Sequence, residues 1–202
     1  MAGLTPAQEA YEANARAYDA KRSRALAEAQ WLRRFARALP QGARVLDLGC
    51  GSGLPISGWL IDKGFQLTGL DFAPAMLDIC RTRWPDGDWR LGDIRTLDLP
   101  ETFQGIIGWD SVFHLSPDEQ RAALPVLARH LEPGGVLMVT VGHEAGEVTG
   151  TVEGNTVYHA SLAPAEYAQI LEANNLRLTG FLAEDPDCDF HTVLMARKAA
   201  DE

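Results

Sequence analysis

The stretch Ala43–Leu60, ARVLDLGCGSGLPISGWL, restricts the fold of this chain more than any other. Val45, Leu46 and Leu48 form a short apolar run that stops at Gly49, Gly51 and Gly53. Glycine at alternate positions opens backbone conformations closed to other residues and lets a ligand approach the main chain. The run Leu54–Lys63 beyond it has helical patterning, and a helix start offers free N–H groups. A buried strand that empties through a glycine turn into a helix is a recurrent way to hold a nucleotide-like ligand.

The rest of the chain alternates in the same manner. Residues 6–38 are rich in Ala, Glu, Arg and Gln and read as one or two helices with Leu26, Trp31, Leu32 and Phe35 on the inner face. Strand signals follow at 44–48, 65–71, 88–93, 103–110 and 134–142, separated by helical patterns at 54–63, 74–84 and 117–131. Such alternation predicts a mostly parallel sheet covered on both faces. The last third departs from it. Residues 146–162 alternate polar and apolar around Glu153-Gly154-Asn155, which predicts a β-hairpin. A helix at 164–174 and two strands, 177–184 and 192–198, then close the chain around the turn DPDCDF. This is one domain over 1–202: N-terminal capping helices 1–40, a ligand-binding core 43–142, a hairpin 143–163 and a C-terminal unit 164–202.

Twenty-eight acidic residues against 18 basic give a formal charge of -10. That balance argues against a nucleic-acid substrate, whose affinity rests on phosphate neutralisation. Three cysteines, Cys50, Cys80 and Cys188, lack metal-ligand spacing and suit a reduced, cytoplasmic protein. The start of the sequence has no signal-peptide pattern, and no apolar stretch reaches membrane-helix length. No metal, nucleic acid or membrane is expected as a partner, and the oligomeric state is left at monomer or homodimer.

Five features recur at ordered distances. They are the turn Asp47-Leu48-Gly49-Cys50-Gly51-Ser52-Gly53, Asp71 at 20 residues past Gly51, Gly92-Asp93-Ile94, Trp109-Asp110-Ser111, and LEPGGVLMVTVG. As a set, over roughly residues 44–142, they resemble the class I S-adenosylmethionine-dependent methyltransferases of the small-molecule branch. The resemblance implies an α/β, Rossmann-like sheet of seven strands in the order 3-2-1-4-5-7-6, the last strand antiparallel and helices on both faces. It implies S-adenosyl-L-methionine as cofactor, with Gly49, Cys50, Gly51 and Gly53 at its methionine side beside Asp47. Asp71 would bind the ribose, with Phe72 and Met76 next to it, and Gly92, Asp93 and Ile94 would meet the adenine. Trp109 and Asp110 would complete the cofactor side, and Tyr11 or Tyr18 would approach the sulfonium. The turn is G-x-G-x-G, unlike the G-x-G-x-x-G of nicotinamide-dinucleotide folds, and Trp109-Asp110-Ser111-Val112 departs from the Asn/Asp-Pro-Pro-aromatic motif of nucleic-acid amino-methylating enzymes. The implied function is methyl transfer to a small-molecule acceptor at O, N or S. A catalytically silent cofactor-binding protein and a nicotinamide-dependent oxidoreductase remain alternatives.

Methyl transfer needs alignment more than covalent help, and a base only where the acceptor must lose a proton. Histidine suits that role. His114 and His143, after the fourth and fifth strands, are the candidate catalytic residues; Tyr11, Ser111, Glu144 and His159 are candidate substrate contacts. His130 reads as a helix-end cation, and His191, beside an acidic turn, as a solvated residue. Trp59, Trp84, Trp89 and Phe103 read as core, and Cys50 as a small filler.

Overall fold

The computed structural model describes residues 5–200. Thr5 starts the first helix with a reciprocal cap: its side chain accepts from the Gln8 amide, and the Gln8 side chain accepts from the Thr5 amide. Two helices, α1 (Pro6–Lys21) and α2 (Ala29–Arg37), precede the sheet. Strands β1 (Arg44–Leu48), β2 (Gln66–Asp71), β3 (Asp88–Leu91), β4 (Phe103–Gly108) and β5 (Leu131–Val141) then alternate with helices α3 (Ile56–Asp62), α4 (Pro74–Arg83) and α5 (Pro117–His130). The hairpin expected from alternation is β6 (Gly146–Val152) with β7 (Asn155–Ser161), antiparallel and forming a separate two-stranded sheet. Helix α6 (Pro164–Ala173) and strands β8 (Leu176–Asp185) and β9 (His191–Lys198) finish the chain.

The main sheet has the order β3-β2-β1-β4-β5-β9-β8. Pairings from β3 to β5 are parallel, and β9 runs antiparallel to both β5 and β8. This is the arrangement the resemblance implied, with the hairpin standing outside the sheet. Element boundaries shift by up to three residues from expectation, with β3 and β4 each ending two residues early. Strand β5 begins at Leu131, directly at the end of α5, and α3 spans only Ile56–Asp62.

Side chains alternate across the sheet, and each set finds its own helices. Leu46, Leu48, Ile106, Leu137, Val139 and Leu194 pack with Leu124, Leu127, Tyr167 and Leu171 of α5 and α6. Val45, Ile107, Met138, Val193 and Met195 pack with Trp31, Leu32 and Phe35 of α2 and Leu60 of α3. Phe103 and Trp89 are buried, whereas Trp59 and Trp84 are half-buried packing residues. The result places the carboxyl ends of β1, β2 and β4 at one rim, where ligands bind in open α/β sheets.

Helix α1 lies across that rim. The Glu12 carboxylate accepts from the Ala75 amide at 2.9 Å, which caps α4 in the absence of a local side-chain cap. The same helix packs against the hairpin through Ala7, Ala10 and Val157.

Candidate functional site

The glycine turn is built by three different needs. The Gly49 and Cys50 amides both donate to the Leu70 carbonyl, at 2.8 and 3.1 Å, so the chain turns sharply at the end of β1. All three glycines have positive φ, from +54° to +83°. A Cβ on Gly49 would lie 2.5 Å from Cβ of Ser111, and one on Gly53 2.6 Å from the Trp84 ring. Gly51 alone faces open space. Gly53 thus packs against Trp84. Gly92 is likewise a packing position, where a Cβ would meet Leu70 at 2.8 Å.

Asp71, at the end of β2, holds this turn in place. Its Oδ2 accepts from the Gly51 amide and its Oδ1 from the Ala73 amide, each at 2.8 Å. Burial pushes its carboxyl up to about 6, against the pull of those amides. Asp47, also buried, accepts from the Ser57 hydroxyl at 2.5 Å and is pushed up to about 7 by burial. Each carboxylate oxygen keeps a second lone pair, and both residues line a cavity at the rim.

That cavity is bounded by Asp47, Gly49, Cys50, Gly51, Asp71, Phe72, Met76, Trp109, Asp110, Ser111 and His114, and from above by Tyr11, Tyr18 and Arg22. Thirteen residues singled out in the sequence therefore meet at one place. Its volume is about 60 Å³, well below the ~300–1,000 Å³ of small-molecule sites. The aromatic rings of α1 fill the difference: Tyr11 stands edge-on to Tyr18, Phe72 and His114, with centroids 5.4, 6.0 and 5.6 Å away.

Asp93 and Ile94 line an adjoining space of about 250 Å³ that shares Phe72, Ser111 and His114 with the first. Asp93 is engaged there by the Arg95 guanidinium and by the Gln8 amide of α1 at 3.1 Å. Cys50 lines the cavity with a thiol pushed well up by its contact with Cys80 and by burial, so it is a filler and no nucleophile.

The histidines separate clearly. The Nδ1 of His114 lies 3.1 Å from the Tyr158 carbonyl and Nε2 3.2 Å from the Tyr11 hydroxyl. A carbonyl only accepts, so Nδ1 carries the hydrogen and Nε2 presents a lone pair to Tyr11. Burial lowers the His114 pKa, which keeps the ring neutral near pH 7. His159 meets His114 at a tilt and Phe113 edge-on, with centroids 4.8 Å away in each case. It opens into a second cavity of about 270 Å³ beside Phe113, Val141, His143, Glu144 and Val148. His143 is exposed and faces Glu144 and Glu184 at 3.7 and 3.8 Å. It lines this second cavity and not the first. His130 is a buried bracket, donating to the Val126 carbonyl and accepting from the Leu99 amide, and is no helix-end cation. His191 is not solvated either: it contacts Asp110 at 2.8 Å. Among the described residues, no group of three or more His, Cys, Asp or Glu side chains is arranged to hold a metal.

Gln8, Glu12 and Arg22 went unread in the sequence, and His191 was read as solvated. Arg22 sits in the charged run AKRSR, which carries no local sign of being inside a cavity.

The donor set fits S-adenosylmethionine. A buried, backbone-anchored carboxylate stands at the end of β2, Gly51 is open to the cavity, and Trp109 Nε1 and Ser111 Oγ are buried there without partners.

Comparison with known proteins agrees. Residues 45–135 match the family model of a methyltransferase domain. A dTDP-4-amino-2,3,4,6-tetradeoxy-D-glucose N,N-dimethyltransferase from Saccharopolyspora spinosa is 29% identical over 145 residues, 70% of this chain and 58% of that protein. Trans-aconitate 2-methyltransferase from Variovorax paradoxus is 32% identical over 143 residues, 69% of this chain and 52% of that protein. The chain spans about half the length of the curated relatives it matches. Among solved structures, the CcbJ methyltransferase from Streptomyces caelestis superposes with a TM-score of 0.76 at 19% identity, covering 98% of this chain and 100% of that one. CalS10, an amino pentose methyltransferase from Micromonospora echinaspora, gives 0.69 at 22% identity, covering 98% and 99%. By sequence match and by sheet order, the chain belongs to the class I S-adenosylmethionine-dependent methyltransferases.

Proposed function

We propose that this protein transfers a methyl group from S-adenosylmethionine to a small-molecule acceptor. The observation that carries the reading is Asp71, buried at the strand end and tied to the Gly51 amide, with its remaining lone pairs on the cavity. Those lone pairs suit two vicinal hydroxyl donors. Asp93 and Ile94 line the adjoining space with the dimensions for a planar base, and Gln8 yields its hydrogen bond to Asp93 on ligand entry. When bound, S-adenosylmethionine supplies a methyl group already activated on a sulfonium.

The acceptor enters on the side of the second cavity, between Phe113, Val141 and the hairpin. Tyr11 presents its hydroxyl to the acceptor and hands a proton to Nε2 of His114, the ring being fixed by the Tyr158 carbonyl on β7. Burial pushes the Tyr11 hydroxyl well above its ordinary value, so it acts as a relay and not as a resident phenolate. His159, kept neutral by burial, stands behind His114 on the acceptor side. The relatives' names include amino-sugar dimethyltransferases and O-methyltransferases, which supports a small acceptor without choosing its atom.

Calorimetric titration with S-adenosylmethionine, S-adenosylhomocysteine and NADH tests the cofactor half. Binding of the two sulfur compounds alone, lost in Asp71→Ala, supports the reading. Binding of NADH, or of none of the three, refutes it. An acceptor screen that reads S-adenosylhomocysteine formation then separates an enzyme from a silent binder.

A further inference from the structure

His191, the first residue of β9, has no part in the reaction as drawn above, yet it is partly buried beside the cavity. Its Nδ1 lies 2.9 Å from the Cys188 carbonyl and its Nε2 2.8 Å from Oδ1 of Asp110. A carbonyl oxygen only accepts, so Nδ1 carries a hydrogen. An ionised carboxylate only accepts too, so Nε2 needs a second hydrogen. The pair holds one proton more than a neutral imidazole and an ionised aspartate would. The surroundings put that proton on the ring. The Arg22 guanidinium lies 3.5 Å from Oδ2 of Asp110 and favours the carboxylate, and Glu28 at the start of α2 adds negative charge near His191. The hydrogen bond to Asp110 outweighs burial and pushes His191 up to about 9.

Asp110 itself is held in an uncommon conformation, with φ of 52°. A non-glycine residue persists there only when its surroundings over-determine it. Three contacts do so: its amide donates to the Thr140 hydroxyl at 2.8 Å, His191 holds Oδ1, and Arg22 faces Oδ2. The carboxylate so fixed forms part of the cavity wall.

We propose that His191 is a positioning residue: as an imidazolium bound to Oδ1, it sets the Asp110 carboxylate in the cavity wall, and ligand affinity falls when His191 loses its proton. Deprotonation leaves two acceptors facing each other across the contact, and Asp110 is released from its conformation. The ligand half of the proposal rests on the cavity being the S-adenosylmethionine site. The proton-sharing half does not.

The test uses the full chain. Nuclear magnetic resonance of the histidine Cε1–H groups follows the titration of His191 with and without S-adenosylhomocysteine. Calorimetry measures affinity for the same ligand from neutral to alkaline pH. The expected midpoint is about 9 in the free protein, returning toward the ordinary ~6.5 in Asp110→Asn. Affinity falls about tenfold across that titration, the size of one charge-assisted hydrogen bond. By linkage the midpoint then rises by about one pH unit in the complex, which needs no variant to observe. His191→Gln binds more weakly than wild type at neutral pH and lacks the alkaline fall. A free-protein midpoint near 6.5 overturns the imidazolium. A high midpoint unmoved by ligand, or an alkaline fall that persists in His191→Gln, overturns the positioning role while leaving the cofactor site standing. No binding at any pH overturns the cavity's assignment and the ligand half with it, and leaves the midpoint to decide the proton-sharing half.

Discussion

The two walls of the cavity are made in opposite ways. The lower wall is nearly continuous chain: β1, the glycine turn and the end of β2, joined by backbone amides that donate to Leu70 and Asp71. The upper and outer wall comes from α1, the segment after β4, the hairpin and the start of β9, brought together by side-chain contacts such as Tyr11 to His114 and Asp110 to His191. These pairs are 103 and 81 residues apart in sequence. A wall tied by its own backbone is rigid and recognises what every ligand of the fold shares. A wall of convergent side chains can change its chemistry residue by residue. The first should hold the nucleoside and the second should select and process the acceptor.

The sharpest way to break this division is Asp71→Ala. It removes the anchor of the Gly51 and Ala73 amides together with the proposed acceptor of two ligand hydroxyls. At ~1.5–3 kcal/mol for each hydrogen bond to a charged group, S-adenosylhomocysteine affinity should fall at least ~100-fold. Calorimetry reads it directly. An effect under tenfold would mean that the lower wall does not carry the nucleoside.

The outer wall predicts a different signature. If the proton of the acceptor reaches His114 through the Tyr11 hydroxyl, the two residues act as one unit. Tyr11→Phe and His114→Asn should each lower kcat by ~100-fold, the scale of general-base assistance, with S-adenosylhomocysteine affinity little changed. The double variant should cost no more than either single one. Additive losses would show that the two groups act separately.

The glycine turn separates fold from function within a single motif. Gly53→Ala presses a Cβ to 2.6 Å from the Trp84 ring at a φ of +83°. It should destabilise the protein by ~1–3 kcal/mol, as overpacking does, with affinity restored once folded protein is corrected for. Gly51→Ala meets no atom within 4 Å, so its stability loss should stay near the ~1 kcal/mol of left-handed strain. Its Cβ adds to the cavity wall, and affinity should suffer more. Paired denaturation and calorimetry decide between them; the reverse ranking would exchange the roles of the two glycines.

The same contrast explains what could be read from the chain before its structure. The strands of the lower wall were legible because their signals are local: Val45 to Gly53 and Leu67 to Asp71 each announce a strand end within a few residues, whereas the sheet order came from the resemblance. The packing of Gly53 on Trp84 and of Gly92 on Leu70 was not legible, because a positive φ or a tight approach marks glycine equally whether the neighbour is a cofactor or a side chain. Which cavity His143 lines was not legible either, because following a strand does not say on which side of the sheet edge the chain leaves. The contacts of His191 and Arg22 with Asp110 were hidden for a different reason. Each residue looks like part of a solvated charged stretch until β9 pairs with β5 and α1 crosses the rim.

The smallest effect tests how the outer wall is fastened. Lys21, at the end of α1, pairs with Glu153 at the hairpin turn at 2.6 Å, but its side chain is 72% exposed. Exposed ion pairs contribute ~0–1 kcal/mol and are screened by salt. Lys21→Ala should therefore leave global stability within about 0.5 kcal/mol of wild type. The hairpin forms no pairing with the main sheet, and its contact with α1 runs through Ala7, Ala10 and Val157. Losing even a weak tie should thus raise the opening of β6 and β7 relative to the rest of the molecule. Hydrogen exchange resolves this: amides of Val148 to Tyr158 should exchange severalfold faster in the variant at low salt, and at wild-type rates at high salt. Unchanged exchange in both would mean that the apolar contact alone fastens the hairpin to α1.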